Sequence, residues 1–300
     1  MRIDICELSL NFTMKRAVPK EDFTVLKMPH NRFQVFADVC VNRFSLILGL
    51  GLIVLLFALP LIATVIMRNV KVSEAETFAD AEEKAVLIYS YINTAGLVAI
   101  PCAAVLGTGL SGVFGVIRKL VWQDGVLFKH DFFTSVKENG LHFALYSAFA
   151  ALIYYLVQLT LRGTYFSIDA GADAAVVASV VAAALYIPTI PFSFVQSTVY
   201  ELGFFKKFVN SFLLAMRTFY LTLPVTALCL SAVLLLFIKN TAVFIISMLF
   251  IFIVAAPLCS LVFTLYCDGV LDKFINKDHF PQIVDKGIYR NGDDNGTKTE

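Results

Sequence analysis

The sequence predicts an all-α polytopic membrane protein, a bundle of six transmembrane helices with amphipathic helices along the cytoplasmic interface. Three observations predict it. The chain is 58% hydrophobic and only 16% charged, with a mean hydropathy of +0.77, whereas soluble domains carry about 25% charged residues. Six stretches reach the roughly 20 apolar residues that a helix needs to cross a hydrocarbon core: 44–67, 93–117, 141–161, 174–196, 219–238 and 241–266. None of the six contains Asp, Glu, Lys or Arg, as expected where burying a charge in lipid is costly.

Taken in chain order, residues 1–30 read as a cytoplasmic N-terminal extension, 31–290 as the membrane domain and 291–300 as a polar, disordered tail. Some forty mostly polar residues precede the first apolar run where a secretory signal would carry a short basic segment, so span 1 is expected to act as its own insertion signal. Orientation follows from the short loops. With the N-terminus inside, 19 of the 24 Lys and Arg fall on cytoplasmic segments, which puts both termini in the cytoplasm. The expected location is therefore a plasma (inner) membrane crossed several times.

The spans pair as three hairpins, each preceded by a stretch that mixes aromatics with bases: "RFQVFADVCVNRF", "DFFTSVKENGLHF" and "FFKKFVNSFLLAMRTF". Such stretches suit helices lying in the interface, with rings in the acyl boundary and bases toward anionic headgroups. Two readings stand, a triplicated hairpin or the general preference of inner loops for bases and aromatics. Pro60, Pro101, Pro188, Pro191, Pro224 and Pro257 lie within spans, and "YIPTIPF" makes span 4 the most interrupted. An interrupted span can line a substrate cavity or simply bend to fit the bundle. "DGVLDKFINKDHFPQIVDKGIYR" reads as a short interface helix leading into the tail.

Several motifs invite chemistry and lose it in context. "GTGLSG", residues 107–112, has the glycine spacing of a dinucleotide loop but lies inside span 2, with no strand before it. There Ala103, Gly107, Ser111 and Gly115 recur every fourth residue and form a small-residue face for helix packing. Ala175, Ser179 and Ala183 repeat the pattern in span 4, which makes spans 2 and 4 the expected site of the tightest contacts. His130 and Asp131 are adjacent but lack the further ligands that a metal needs, and Asp131 is expected to cap a helix that begins at Phe132. On that helix Phe132, Phe133, Val136 and Gly140 are expected to share one side, with Thr134, Lys137 and Glu138 toward water.

The six cysteines form no CxxC pair, no phosphate-binding loop or hydrolase elbow is present, and no cofactor or metal is expected. A net charge of +1 without a basic run argues against nucleic acid. Asn93, Thr94, Gln158, Ser193, Gln196 and several tyrosines are polar groups available within spans, suited to neutral hydroxyls or to interhelical hydrogen bonds. His142, at the mouth of span 3, is the one span residue that titrates near neutrality.

"FADVCVNRFSLILGLGLIVLLFALPLIAT", with Asp38, Asn42 and Pro60, followed by "GVIRKLVWQDGVLFKHDFFTSVKENG", resembles the YesL-like family of bacterial integral membrane proteins, a domain of unknown function. The marker positions are Asp131, Phe132, Phe133, Val136, Lys137 and Asn139, and "DKFINKDHFPQIVDKGIYR" is similar to the tail of clostridial-type members. The likeness covers about residues 31–290, with the N-terminal thirty residues and the insertion "VKVSEAETFADAEEK" outside the pattern. It implies six spans, no catalytic residues and an accessory role beside carbohydrate uptake. The expected function is thus a non-enzymatic accessory or scaffold protein that contacts the lipid bilayer and a membrane partner such as a sugar permease. A facilitator or channel for a small neutral solute is the alternative.

Overall fold

The computed structural model describes residues 29–166, 170–238 and 241–289, so the N-terminal extension as far as residue 28 and the polar tail expected from sequence lie outside the described residues. Every long described element is helical, and six helical segments are long and apolar enough to cross a membrane: Phe44–Ala75, Ala81–Val121, Phe128–Leu161, Ala174–Val199, Phe219–Leu236 and Val243–His279. The chain is an all-α polytopic bundle of the class its sequence predicts.

Helix α1, Arg32–Asn42, lies ahead of the first span, its N-terminus capped by Asn31, which accepts the Gln34 N–H at 2.8 Å. It buries Val35 and Val39 and leaves Phe33 and Val41 exposed, as an interface helix should. The hairpin α2, Phe44–Ala75, with α3, Ala81–Val121, runs well past the apolar stretches at its far end. Asp80 makes the sharp turn there, accepting the Glu82 N–H at 2.9 Å, and Glu82 and Glu83 complement the positive end of the α3 dipole. Pro60 and Pro101 interrupt neither helix.

Helix α4, Phe128–Phe166, is continuous. The expected separate interface helix before span 3 is instead the N-terminal part of the same continuous helix, about three and a half turns long. Span 4 is divided into α5, Ala170–Tyr186, and α6, Thr189–Val199, at the turn Ile187–Pro188. Pro191 falls in the first turn of α6, where its missing N–H leaves no bond unmade. All of α6 from Pro191 to Thr198 is buried, an unusual state for a membrane helix, because α6 is wrapped by α4, α7 and α10.

The amphipathic α7, Phe204–Arg217, turns at Thr218 into α8, Phe219–Leu230, which tightens into a 3₁₀ segment, Ser231–Phe237. Span 6 comprises α9, Thr241–Phe250, a π-helical turn, Ile251–Ala255, and α10, Ala256–Leu271. The helix continues through a second π turn to His279, in place of the short interface helix expected there. Residues 281–289 then fold back as a strap across α1 and the end of α3. Tyr289 N–H donates to the Pro29 carbonyl at 2.9 Å, and Lys286 pairs with Asp124 at 3.1 Å.

The core is asymmetric along the bundle axis. We call the end that carries α1, α7 and the strap the near end, and the end with the α2–α3 turn the far end. Both clusters of buried side chains belong mainly to the near half. One joins Ile47, Leu50, Val113, Ile117, Phe132 and Leu261, and the other joins Phe114, Phe143, Phe192, Phe194 and Leu271. Phe143 and Phe194 stack at 4.3 Å between centroids, with Phe114 edge-on to Phe194 at 5.4 Å.

The seam between α3 and α4 sets this asymmetry. A methyl group at Gly107 would lie 2.6 Å from the Phe143 carbonyl oxygen and closer still to Ser147 Oγ, while the Phe132 ring lies on Gly112 and Ser135 lies on Gly115. Ser135 Oγ–H crosses the seam to the Ser111 carbonyl at 2.7 Å. Gly107→Val is expected to destabilise the bundle by about 1–3 kcal/mol through forced separation of the two backbones. Thermal unfolding followed by size-exclusion chromatography in detergent measures it; an unchanged midpoint would refute a backbone contact at this seam.

Candidate functional site

The small-residue face of span 2 packs on span 3. Gly107, Ser111 and Gly115 close on α4, so the tight seam joins spans 2 and 3, which are antiparallel neighbours linked by a short turn. In α5, Ala175 is exposed and Ser179 and Ala183 are half-buried, outside that seam. Ala103, at the far end of the face, lines a cavity.

The segment around Asp131 is also rearranged. Helix α4 starts at Phe128, one turn earlier than expected, so Asp131 does not precede the helix but sits in its first turn. Its buried carboxylate reaches back to accept the Leu127 N–H at 2.8 Å and pairs with Lys119 Nζ at 2.7 Å. His130 stands exposed and touches the same carboxylate at 3.4 Å. Phe132 is buried against Gly112 and tilted toward Phe57, while Phe133 is 66% exposed, so the two rings do not share a face. Val136 packs on the near core, Asn139 is half-buried, and Lys137 and Glu138 are exposed. The cluster ties α3 to α4.

A second polar network at the near end has no counterpart among the sequence expectations. Asp272 accepts from Arg32, from Asn276 Nδ2 at 2.6 Å and from the Asp285 N–H at 3.1 Å. Trp122 Nε1 donates to the buried Asp268 at 3.2 Å, with Arg118 above the indole at 5.1 Å and Lys286 at 4.5 Å. Tyr200 donates to Asn276, and burial, reinforced by Asp268 and Asp272, pushes its phenol above the ordinary tyrosine range. The residues come from α1, the end of α3, the residue after α6, α10 with the π turn that follows it, and the strap, which no local sequence pattern brings together. Their hydrogen bonds fasten the strap, while the buried Arg118 Nε meets no partner among the described residues.

On α7, Lys207 is buried with its Nζ 3.3 Å from His142 Nδ1. Burial lowers the lysine below its ordinary range, and Glu201 opposes that only in part.

The concave site is at the far end. A cavity of about 430 Å³ lies among spans 1, 2, 3, 5 and 6, within the roughly 300–1,000 Å³ of small-molecule sites. Its walls are mainly aliphatic, from Leu61, Ala99, Ala103, Ala151 and Ile251, with polar groups from Arg68, Tyr89, Asn93, Tyr155 and Gln158. The sequence opens this space locally. Gly96 lacks a side chain where the Tyr155 ring rests, a methyl there falling 2.6 Å from Cδ2, and Tyr155 Oη donates to Asn93 Oδ1 at 2.6 Å. Here α3 and α4 are spaced by a ring, whereas at Gly107 they meet backbone to backbone. Of the span polar groups singled out in the sequence, Asn93 and Gln158 converge on the cavity. Thr94 lines a neighbouring groove, and Ser193 and Gln196 are buried in α6.

Fold and site together define a multi-pass helical membrane protein with a small-molecule-sized cavity at one end. Compared with protein families, with curated proteins and with solved structures, the chain finds no match.

Two predictions follow from the near-end geometry. Phe132→Ala is expected to cost about 3–5 kcal/mol, and Phe133→Ala close to nothing; equal shifts in thermal midpoint would show that both rings share one environment. Lys207 binds its proton less tightly in the folded state than when unfolded. Stability therefore rises as pH climbs from the lowered folded value toward the ordinary lysine value, and is diminished below that window. Lys207→Met should flatten this rise in unfolding midpoints measured across alkaline pH, and a wild-type slope in the variant would assign the dependence elsewhere.

Proposed function

We propose that this chain is a non-enzymatic accessory protein of a bacterial plasma membrane, with both termini cytoplasmic, that binds a small uncharged or amphiphilic molecule at its outward end. The bias of Lys and Arg supports the orientation, and it makes the far end the outward one. The observation that carries the reading is the position of the cavity, open among five spans in the far half and closed below by the α3–α4 seam and the Phe114, Phe143 and Phe194 stack. A cavity confined to the far half, with the tight α3–α4 seam and the aromatic stack in the near half, suits binding better than conduction. The resemblance to the YesL-like family favours a partner in carbohydrate uptake, such as a sugar permease, docked on the cytoplasmic face.

The second reading, a facilitator for a small neutral solute, draws on the same cavity and on the break between α5 and α6. The two separate in proteoliposomes and in crosslinking. The accessory reading expects no solute-specific leak over empty vesicles across a panel of sugars and polyols, and a reproducible membrane partner recovered after crosslinking in mild detergent. A selective leak would replace it with the facilitator, and the lack of any reproducible partner would end the accessory role.

A further inference from the structure

We infer that the far cavity is a site for a single-chain anionic amphiphile, its carboxylate or phosphate held by Arg68 and its hydrocarbon chain lying along the aliphatic wall toward the middle of the bilayer. The inference rests on the reading of this cavity as a ligand site and names the ligand's chemistry.

The shape favours a chain over a compact solute. The lining on α3 extends from Tyr89 to Ala103, about 21 Å of helix at 1.5 Å per residue, so the cavity is elongated along the bundle axis. That length is comparable with one leaflet of a hydrocarbon core about 30 Å thick. The deeper residues, Leu61, Ala99, Ala103, Ala151 and Ile251, present only carbon to the cavity. A sugar placed there would lose its water and find few hydrogen bonds in return. At about 430 Å³ the cavity takes one chain; a two-tailed lipid would have to leave one tail in the bilayer.

The polar residues are ordered along this axis as an amphiphile requires. Asn93 lies ten residues outward of Ala103 on α3, and with Oδ1 taken by Tyr155 its Nδ2 meets no acceptor among the described residues, leaving a donor for a carbonyl or hydroxyl next to the head. Arg68 stands at the outward rim. It lines both the main cavity and the adjoining groove of about 340 Å³ between spans 1 and 2, which also share Thr64 and Ala95. Its guanidinium bonds Asn69 Oδ1 at 2.9 and 3.2 Å and pairs with no carboxylate among the described residues, although the neighbouring turn carries Glu74, Glu76, Asp80, Glu82 and Glu83. Nearby Lys71, by contrast, is already paired with Glu74 at 2.7 Å. With Nε and one Nη2 hydrogen on Asn69, Arg68 keeps its Nη1/Nη2 edge, two parallel donors, for an oxyanion, and among the described residues it is the cation lining the main cavity. The adjoining groove is the lateral entry by which a chain passes between spans 1 and 2.

Binding to the full-length protein in nanodiscs, competed against a fluorescent fatty acid, tests this with palmitate, methyl palmitate, lysophosphatidate and glucose as probes. Palmitate or lysophosphatidate is expected to bind at least about tenfold more tightly than methyl palmitate, and Arg68→Gln to erase that difference while leaving the ester unaffected. The stronger of the two acids identifies the source, a free fatty acid or a lipid. Ala103→Phe, or Ala151→Leu if the first variant loses its thermal midpoint, should abolish binding of every amphiphile by filling the chain path. Equal affinity for acid and ester, or an Arg68→Gln variant that discriminates as wild type, overturns the anionic head. Displacement by glucose but by no amphiphile overturns the chain and leaves the neutral-solute reading standing. Binding untouched by either filled-cavity variant overturns the cavity as a ligand site altogether.

Discussion

The close approach of α3 to α4 is the constraint on which the rest of the bundle depends. In a bilayer the hydrophobic effect does little to press helices together, because lipid tails are as apolar as leucine, and association relies on packing and on hydrogen bonds that cross the seam. Gly107, Gly112 and Gly115 let α4 settle against the α3 backbone, and Ser135 adds a hydrogen bond to the Ser111 carbonyl. Once the seam is closed, Phe132 and Phe143 have fixed places in the core. Phe143 then supplies the surface on which Phe194 of α6 stacks, which explains how an interrupted half-span can be buried on every side. Lys119 and Asp131 close the same seam at the water boundary, where an ion pair is less costly to form than at membrane depth.

The near end is also tied across the sequence. Arg32, Trp122, Asp268, Asp272 and Asn276 come from segments far apart in the chain, and each finds a partner in the others or in the strap. A network of this kind contributes only when every member is satisfied, since an unpaired buried charge is strongly unfavourable. The strap supplies the closing contacts through Asp285 and Lys286, and at Gly287 the chain turns with φ of +85°, tight against the Val121 carbonyl, a conformation that favours glycine. Among the described residues the far end shows no comparable network. Its helices meet through side chains such as Tyr155 on Gly96, and the remaining space is the cavity.

Spans were legible in the sequence because the membrane imposes a length and forbids charge, both of which are local properties. The partner of the small-residue face was not, because a stripe every fourth residue specifies close packing without specifying which helix arrives; the short turn after Val121 decides that in favour of α4. Asp131 looked like a cap because only its own neighbours were in view, whereas Lys119, twelve residues earlier, draws it into the first turn. The adjacent Phe132 and Phe133 point apart because α4 is already helical there, and successive residues on a helix face different directions. Asn93 and Gln158 were visible as polar residues within spans. Arg68 was not, since a cation at the end of an apolar run reads as an interface anchor until its lack of an acidic partner among the described residues can be seen.

The π-helical turn at Ile251–Ala255 links the two halves. A π turn places an extra residue in one helical turn, and such turns recur at functional positions. Here Ile251 and Phe252 line the cavity, while the carbonyl of Ile253 sits directly over Gly51 of α2, a contact that no larger residue than glycine would permit. The same five residues therefore shape the far cavity and dock span 6 on span 1, whose next turns bury Leu50 and Val54 in the near core. Span 6 is anchored on its near side by Asp268 and Asp272. Ile251 and Phe252 thus belong to a segment held against α2 by a backbone contact and joined to α10 by helix continuity, so the wall of the far cavity and the anchored near end share one continuous span.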